Sequence, residues 1–215
     1  MDLFSKVVSS LLLILLSPFL ICVYFLCILL QGKPVLFSQT RVGYNYNHFK
    51  IYKLRTMVQQ NGQIITRSDD VRITNFGKFL RVTKIDEIPQ LFNIVKGDMR
   101  FIGPRPEVPE YFDKNKFQFL KKIKPGISDI SSILLRNENI ILDNIGGDNP
   151  YNKLLPIKLT LAEYYAERKT FLFDLKLVFV TVISIFSPKF TSEVILLPLI
   201  RKDLPIVYNF LKEYL

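Results

Sequence analysis

Residues 7–31 carry no formal charge, and their centre, Leu11 to Leu30, reads LLLILLSPFLICVYFLCILL. That is about the 20 apolar residues a helix needs to cross a hydrocarbon core. Lipid offers no partner to free backbone amides, so a lone segment at that depth must be helical. A cleaved secretory signal would have a shorter apolar region and a small-residue cleavage site. Here the run continues into bulky Leu29-Leu30-Gln31. Both cysteines, Cys22 and Cys27, lie inside it and read as small apolar residues, not a redox pair.

Ser17-Pro18 interrupts the run near its middle. Proline removes a backbone donor and clashes with the preceding turn, so it bends a helix. The legs before and after it would be about 16 and 18 Å long at 1.5 Å per residue, each about half a hydrocarbon core. Two arrangements follow from the residues alone. One is a kinked single span. The other enters, turns and returns to the same face, which leaves Lys6 and Lys33 both in the cytoplasm, as cations prefer.

The rest of the chain is more polar. Its 29 Lys+Arg against 19 Asp+Glu give a net charge of +10, while the whole-chain mean hydropathy stays positive at +0.22. That pairing suits a basic globular domain held against an anionic cytoplasmic leaflet. Nucleic-acid binding would call for basic residues interleaved with aromatics in a recognisable module, and no such module is present. One histidine, His48, excludes multi-His zinc sites, and its place in a turn beside Phe49 makes it a surface residue. The alternating stretches 35–39 and 49–53 predict two short strands around an Asn-rich turn at Asn45–Asn47. Residues 69–81 predict a polar segment with a helical tail at 77–80. Residues 87–96 predict a helix with Asp86 as N-cap, Pro89 in the first turn and Gly97 as the stop. Gly103-Pro104-Arg105-Pro106 predicts a rigid loop, 114–124 a basic amphipathic stretch, and 144–152 a loop. Residues 155–186 predict a helix that is strongly apolar from Phe171. Its part at 177–186 is too short to span and suits burial or the membrane interface. Tyr164-Tyr165 read as packing and interface anchors. Residues 187–215 carry a mixed pattern that predicts no element.

The residues able to do chemistry begin with Asp86-Glu87. Adjacent carboxylates opening a helix can simply complement its dipole. Their neighbours suggest more. Arg105, clamped between prolines, presents a fork that matches phosphate oxygens at little entropic cost. Asp98 adds a further carboxylate at the helix stop. Arg41, Lys53, Arg55, Arg72 and Arg81 supply cations upstream, although a basic face for anionic lipid would look the same. Carboxylates able to hold Mg2+ among guanidinium groups suit phosphoryl transfer, and a carboxylate can attack phosphorus itself. At a helix N-terminus it would stay ionised.

The order of motifs carries a resemblance. The chain reads Pro34-Val35-Leu36-Phe37-Ser38-Gln39-Thr40-Arg41-Val42-Gly43, then Phe49-Lys50-Ile51-Tyr52-Lys53-Leu54-Arg55-Thr56-Met57. Asp86-Glu87-Ile88-Pro89-Gln90-Leu91-Phe92-Asn93-Ile94-Val95-Lys96-Gly97-Asp98-Met99 follows, then Gly103-Pro104-Arg105-Pro106, Lys124-Pro125-Gly126-Ile127 and Tyr164-Tyr165. Across about residues 1–186 this resembles the bacterial sugar transferase family, in its small monotopic phosphoglycosyl transferase form. The resemblance implies transfer of a sugar 1-phosphate from a UDP-sugar to undecaprenyl phosphate, with release of UMP, at the cytoplasmic face of the bacterial inner membrane. It implies a re-entrant helix broken at Ser17-Pro18, Asp86 as the nucleophile of a covalent phosphosugar intermediate, and Glu87 as a Mg2+ ligand. Arg105, Arg81, Arg55 and Lys53 are then expected on substrate phosphate, and Arg136, Asn137 and Asp98 elsewhere on substrate. The expected fold is α+β, in three parts. A membrane hairpin occupies 1–32. A mostly helical catalytic domain with a small β-hairpin and amphipathic interfacial helices occupies 33–186. An extension of unassigned role follows at 187–215. The chain departs from the family pattern at Arg100, between Ser128 and Leu135, and at Ala162, where the family has Asp and the nearest carboxylate here is Glu163. A non-catalytic basic membrane scaffold in a glycan-assembly complex is the alternative reading.

Overall fold

The computed structural model describes residues 2–58 and 70–214. It begins with α1 (Asp2–Gln31), a 30-residue helix that is long and apolar enough to cross a membrane. The helix runs through Ser17-Pro18 without the expected break. Pro18 has no N–H to offer the Ile14 carbonyl one turn back. The Ser17 hydroxyl donates to that carbonyl instead, at 2.7 Å, so the lost bond is replaced locally. Both halves of α1 pack on the rest of the chain. Leu12, Leu13 and Leu16 meet a cluster of Ile51, Leu91, Ile94 and Met99. Val23 and Cys27 join Val35, Leu54 and Leu80. The remaining faces, with Leu3, Phe4, Leu15 and Leu29, stay exposed.

The predicted hairpin forms and is longer than its alternating core. β1 (Leu36–Val42) pairs antiparallel with β2 (His48–Leu54), Leu36 opposite Leu54 and Val42 opposite His48. Asn45 and Tyr46 take positive φ in the connecting turn. The predicted 69–81 segment starts outside the described residues. Its helical part is α2 (Asn75–Thr83), capped by the Thr74 hydroxyl, which accepts from Gly77 N–H at 2.8 Å. A Cβ on Gly77 would stand 2.0 Å from the Thr56 carbonyl oxygen, so only glycine lets α2 lie against that backbone.

The predicted 87–96 helix starts late. Lys84 turns the chain at φ 60, residues Ile85–Glu87 form a tight 3-10 turn, and α3 runs only from Gln90 to Lys96. Asp86 is therefore not an N-cap; that position falls to Pro89, which has no side chain to cap with. Gly97, at φ 88, ends α3 as predicted.

β3 (Arg100–Ile102) and β4 (Gly126–Ser128) pair in parallel, an element the alternation did not reveal. The 114–124 stretch is irregular and not one amphipathic helix: a 3-10 turn covers Gln118–Lys121, and Phe117, Phe119, Leu120 and Ile123 are buried. α4 (Ile130–Leu134) opens on a reciprocal capping box between Asp129 and Ser132. α5 (Glu138–Ile145) shortens the predicted 144–152 loop.

The predicted 155–186 helix is two: α6 (Tyr151–Arg168) and α7 (Phe171–Phe186), with the Thr170 hydroxyl capping α7. α7 buries Leu177 and Val180 and exposes Leu172, Phe179 and Phe186, the pattern of a helix with one face in the protein and one in an apolar surround. The tail folds as α8 (Pro188–Phe190), a π-helical turn Thr191–Leu196, α9 (Leu197–Ile200) and α10 (Pro205–Tyr214). Its Leu196, Ile200, Val207 and Leu211 are buried in one cluster with Leu161, Tyr165 and Leu177, so the tail closes the main core. The fold mixes helices with small sheets, as expected of the α+β class, but it adds the β3–β4 sheet to the expected hairpin.

Candidate functional site

Three of the expected residues meet. β2 brings Lys53, the 3-10 turn brings Glu87, and the proline-flanked loop brings Arg105. Lys53 Nζ lies 2.8 Å and Arg105 Nη2 3.0 Å from the same oxygen, Glu87 Oε1. Arg105 is held between Pro104 and Pro106, so its fork loses little freedom in that pose. Burial pushes the Glu87 carboxyl up, but Lys53, Arg105 and Lys84 outweigh it and hold it well below the usual carboxylate range. Arg105 is raised in return, chiefly by Glu87. Lys53 is lowered, since burial outweighs the pull of Glu87.

Asp86 is the odd member. It is 6% exposed, and its Oδ1 is shut off from solvent without a hydrogen-bond partner. Burial raises its carboxyl, with the Glu87 charge adding to the rise and Lys53, Lys84 and Arg81 opposing it. The expected stabilisation at a helix N-terminus is thus corrected. α3 begins four residues on, and the turn that holds Asp86 aligns too few peptides for a dipole.

The other cations have mostly structural partners. Arg81 Nε donates to Thr56 Oγ1 at 2.8 Å, and its charge still reaches Asp86. Arg55 donates to the Gln31 and Gly32 carbonyls, a cationic cap on the C-terminus of α1. Arg41 donates to the Pro106 carbonyl at 3.1 Å and lies 3.6 Å from Glu107. Arg72 pairs with Asp70 at 2.6 Å. Arg136 donates to the carbonyls of Val82 and Ser184, tying the last turns of α2 and α7. Asn137 stands at the N-cap of α5 without a side-chain cap bond. Asp98 faces Lys96 at 3.4 Å and Asn93 Nδ2 at 3.4 Å, closing the end of α3.

A second polar cluster lies behind Arg105. Tyr151 donates to Glu107, and Lys158 reaches Tyr151 Oη at 2.9 Å and Glu138 at 3.3 Å. Arg105, Glu107, Asp129, Ser131, Lys158 and Ala162 share the wall of a cavity of about 20 Å³, room for a water. Ala162 thus stands on that wall without the carboxylate of the family pattern. Glu107 directly follows Arg105-Pro106, and Tyr151 and Lys158 are two helical turns apart on one face of α6. Only that spacing could have suggested the cluster.

Because its folded value is lowered, Glu87 adds stability above about its ordinary 4.5 and loses it as pH falls below that. Glu87→Gln therefore melts lower at pH 7, with Lys53 and Arg105 left facing each other, and loses less on acidification from pH 7 to 3. Equal acid sensitivity in both proteins, read by thermal melting, would count against the assignment.

A family model described as bacterial sugar transferase matches residues 1–188. The chain is 34% identical over 192 residues to the UDP-glucose:undecaprenyl-phosphate glucose-1-phosphate transferase of Escherichia coli (strain K12). That match covers 85% of this chain and 39% of the relative. It is 44% identical over 99 residues to a putative undecaprenyl-phosphate N-acetylgalactosaminyl 1-phosphate transferase of Bacillus subtilis (strain 168), covering 44% of this chain and 55% of the relative. It is 34% identical over 156 residues to the uncharacterized sugar transferase EpsL of the same organism, covering 70% and 69%. The chain thus spans well under half the length of the E. coli relative.

Proposed function

Since this chain belongs to the bacterial sugar transferase family, we propose that it moves a sugar 1-phosphate from a UDP-sugar to undecaprenyl phosphate and releases UMP. The observation that carries this reading is the convergence of Lys53 and Arg105 on Glu87, next to a buried carboxylate on the same turn. The two cations sit where a diphosphate would gain from them, and Glu87 holds both in place without substrate. Asp86 oxygen attacks the sugar-bearing phosphorus. The bond from that phosphorus to the bridging oxygen breaks, and UMP leaves with the electron pair. An oxygen of undecaprenyl phosphate then attacks the same phosphorus, and the Asp86–phosphorus bond breaks. A covalent intermediate lets one interfacial site serve a soluble nucleotide and a long lipid in turn.

Among the described residues no three His, Cys, Asp or Glu side chains form a metal cage. Glu87 fits a Mg2+ ion that takes its other ligands from water and substrate phosphate. Such an ion would neutralise diphosphate charge; Glu87 is the residue assigned to hold it.

We also read α1 as re-entrant and the domain as cytoplasmic at the bacterial inner membrane. A straight span would carry one half of the helix away from the domain, yet both halves of α1 pack on it. Replacing the bond lost at Pro18 lets the helix bend in lipid without exposing a carbonyl.

The test is UMP release by the full chain in nanodiscs with Mg2+ and undecaprenyl phosphate. The donors are UDP-glucose, UDP-galactose and UDP-N-acetylgalactosamine, with further UDP-N-acetyl amino sugars. Release that needs both one donor and the lipid is expected. No release with any donor, together with no phosphosugar adduct on Asp86 in cell-derived protein, would overturn the reading.

A further inference from the structure

Gln90, the first residue of α3, is fully buried, and neither its Oε1 nor its Nε2 has a hydrogen-bond partner. A buried carboxamide with both ends idle is costly, and an apolar side chain of the same size would fill the place at less cost. The same helix shows a satisfied structural amide. Asn93 is as deeply buried, but it donates to the Lys50 carbonyl at 2.7 Å and accepts from Tyr52 N–H at 3.2 Å. Gln90 does no such work. Four residues before it, in the tight turn that Ile88 and Pro89 join to α3 through right-handed helical backbone, stands Asp86, whose Oδ1 is also buried and idle. Side chains at this separation along a helix can reach each other, and the carboxyl torsion of Asp is soft.

We propose that the Gln90 carboxamide donates through Nε2 to Asp86 Oδ1 when the site reacts, so that Oδ2 is the oxygen that bonds to phosphorus. The proposal rests on the reaction given above. Gln90 is closed to solvent, so it acts through Asp86 and not on substrate; it is a positioning residue. In the first step its N–H fixes one oxygen and leaves the other free to attack. In the second step the phosphorus–Oδ2 bond breaks and charge returns to the carboxylate. The same donor then stabilises the carboxylate as it leaves.

The test compares wild type with Gln90→Met and Gln90→Leu in nanodiscs. The readouts are kcat and donor KM for UMP release, the rate of adduct formation on Asp86, and the melting temperature without substrate. A kcat lower by about tenfold or more, the effect of one lost charge-assisted bond, is expected with donor KM unchanged. Adduct formation should slow in parallel, and both variants should melt no lower than wild type. Wild-type kcat in either variant overturns the proposal. So does a melting temperature lower by more than about 3 °C in both, since that marks an amide already satisfied in the resting fold. A wild type that neither releases UMP nor forms the adduct fails the underlying reaction, and the proposal with it.

Discussion

Asp86→Asn is expected to lower UMP release at least about a thousandfold while the protein melts no lower than wild type. Asparagine matches aspartate in size, so the turn keeps its packing. What is lost is the carboxylate proposed to form the acyl phosphate. Glu87 cannot replace it, because Lys53 and Arg105 already hold its Oε1. The stability half of the prediction has its own cause. Burial raises the Asp86 carboxyl above its ordinary value, so the ionised group opposes folding at neutral pH, and a neutral amide removes that cost. Mass spectrometry should find the phosphosugar adduct on wild type and none on the variant. Turnover within tenfold of wild type at an unchanged melting temperature would remove Asp86 from the role of nucleophile.

Gly126→Ala is expected to cost about 4 kcal/mol or more, which for a chain of this size lowers the melting temperature by about 10 °C. A Cβ on Gly126 would lie 2.2 Å from Gly103 N and 2.7 Å from Gly103 Cα. Both obstacles are backbone, so no side chain can swing aside. Nor can the strands part cheaply. Gly103 N–H donates to the Ser128 carbonyl at 3.0 Å, Gly126 N–H to Pro104 at 3.0 Å, and Arg100 N–H to Pro125 at 2.8 Å. Gly103 also begins the loop that carries Arg105, so the surviving folded fraction should lose activity too. Gly147→Ala is the control. Its Cβ would meet nothing within 4 Å, and only the positive φ of 85 opposes it, at about 1–2 kcal/mol. Equal melting of the two variants would mean that the strands do not approach as described.

The hairpin and α1 were legible because each is written in a local pattern. Alternation marks the strands, and an uncharged run marks the helix. The adjacent carboxylates Asp86-Glu87 and the clamped Arg105 were each legible because a turn and a proline-flanked arginine are local devices as well. The start of α3 was misread by three residues. Pro89 suits both a first helical turn and the last residue before one, and the pattern does not choose between them. The break at Lys169-Thr170 was missed because neither glycine nor proline marks it, although Glu167-Arg168-Lys169 interrupts the apolar pattern and Thr170 is an ordinary N-cap type.

By itself, then, the sequence determined the membrane-grade helix, the hairpin, the family motifs and the adjacent carboxylates Asp86-Glu87. These depend on neighbours within about one or two turns. The tertiary structure alone decided which cations face the site and which cap helices. Lys53 meets Glu87 across 34 positions, whereas Arg55 and Arg136, of the same charge, end on backbone carbonyls. It also decided that the tail closes the core, that Glu107 meets Tyr151, and that the Gln90 amide is buried without a partner. The reason is the same in each case. A guanidinium or amide has many acceptable partners, and local sequence sets only its reach. Which partner it takes follows from chain segments brought together by burying apolar surface elsewhere.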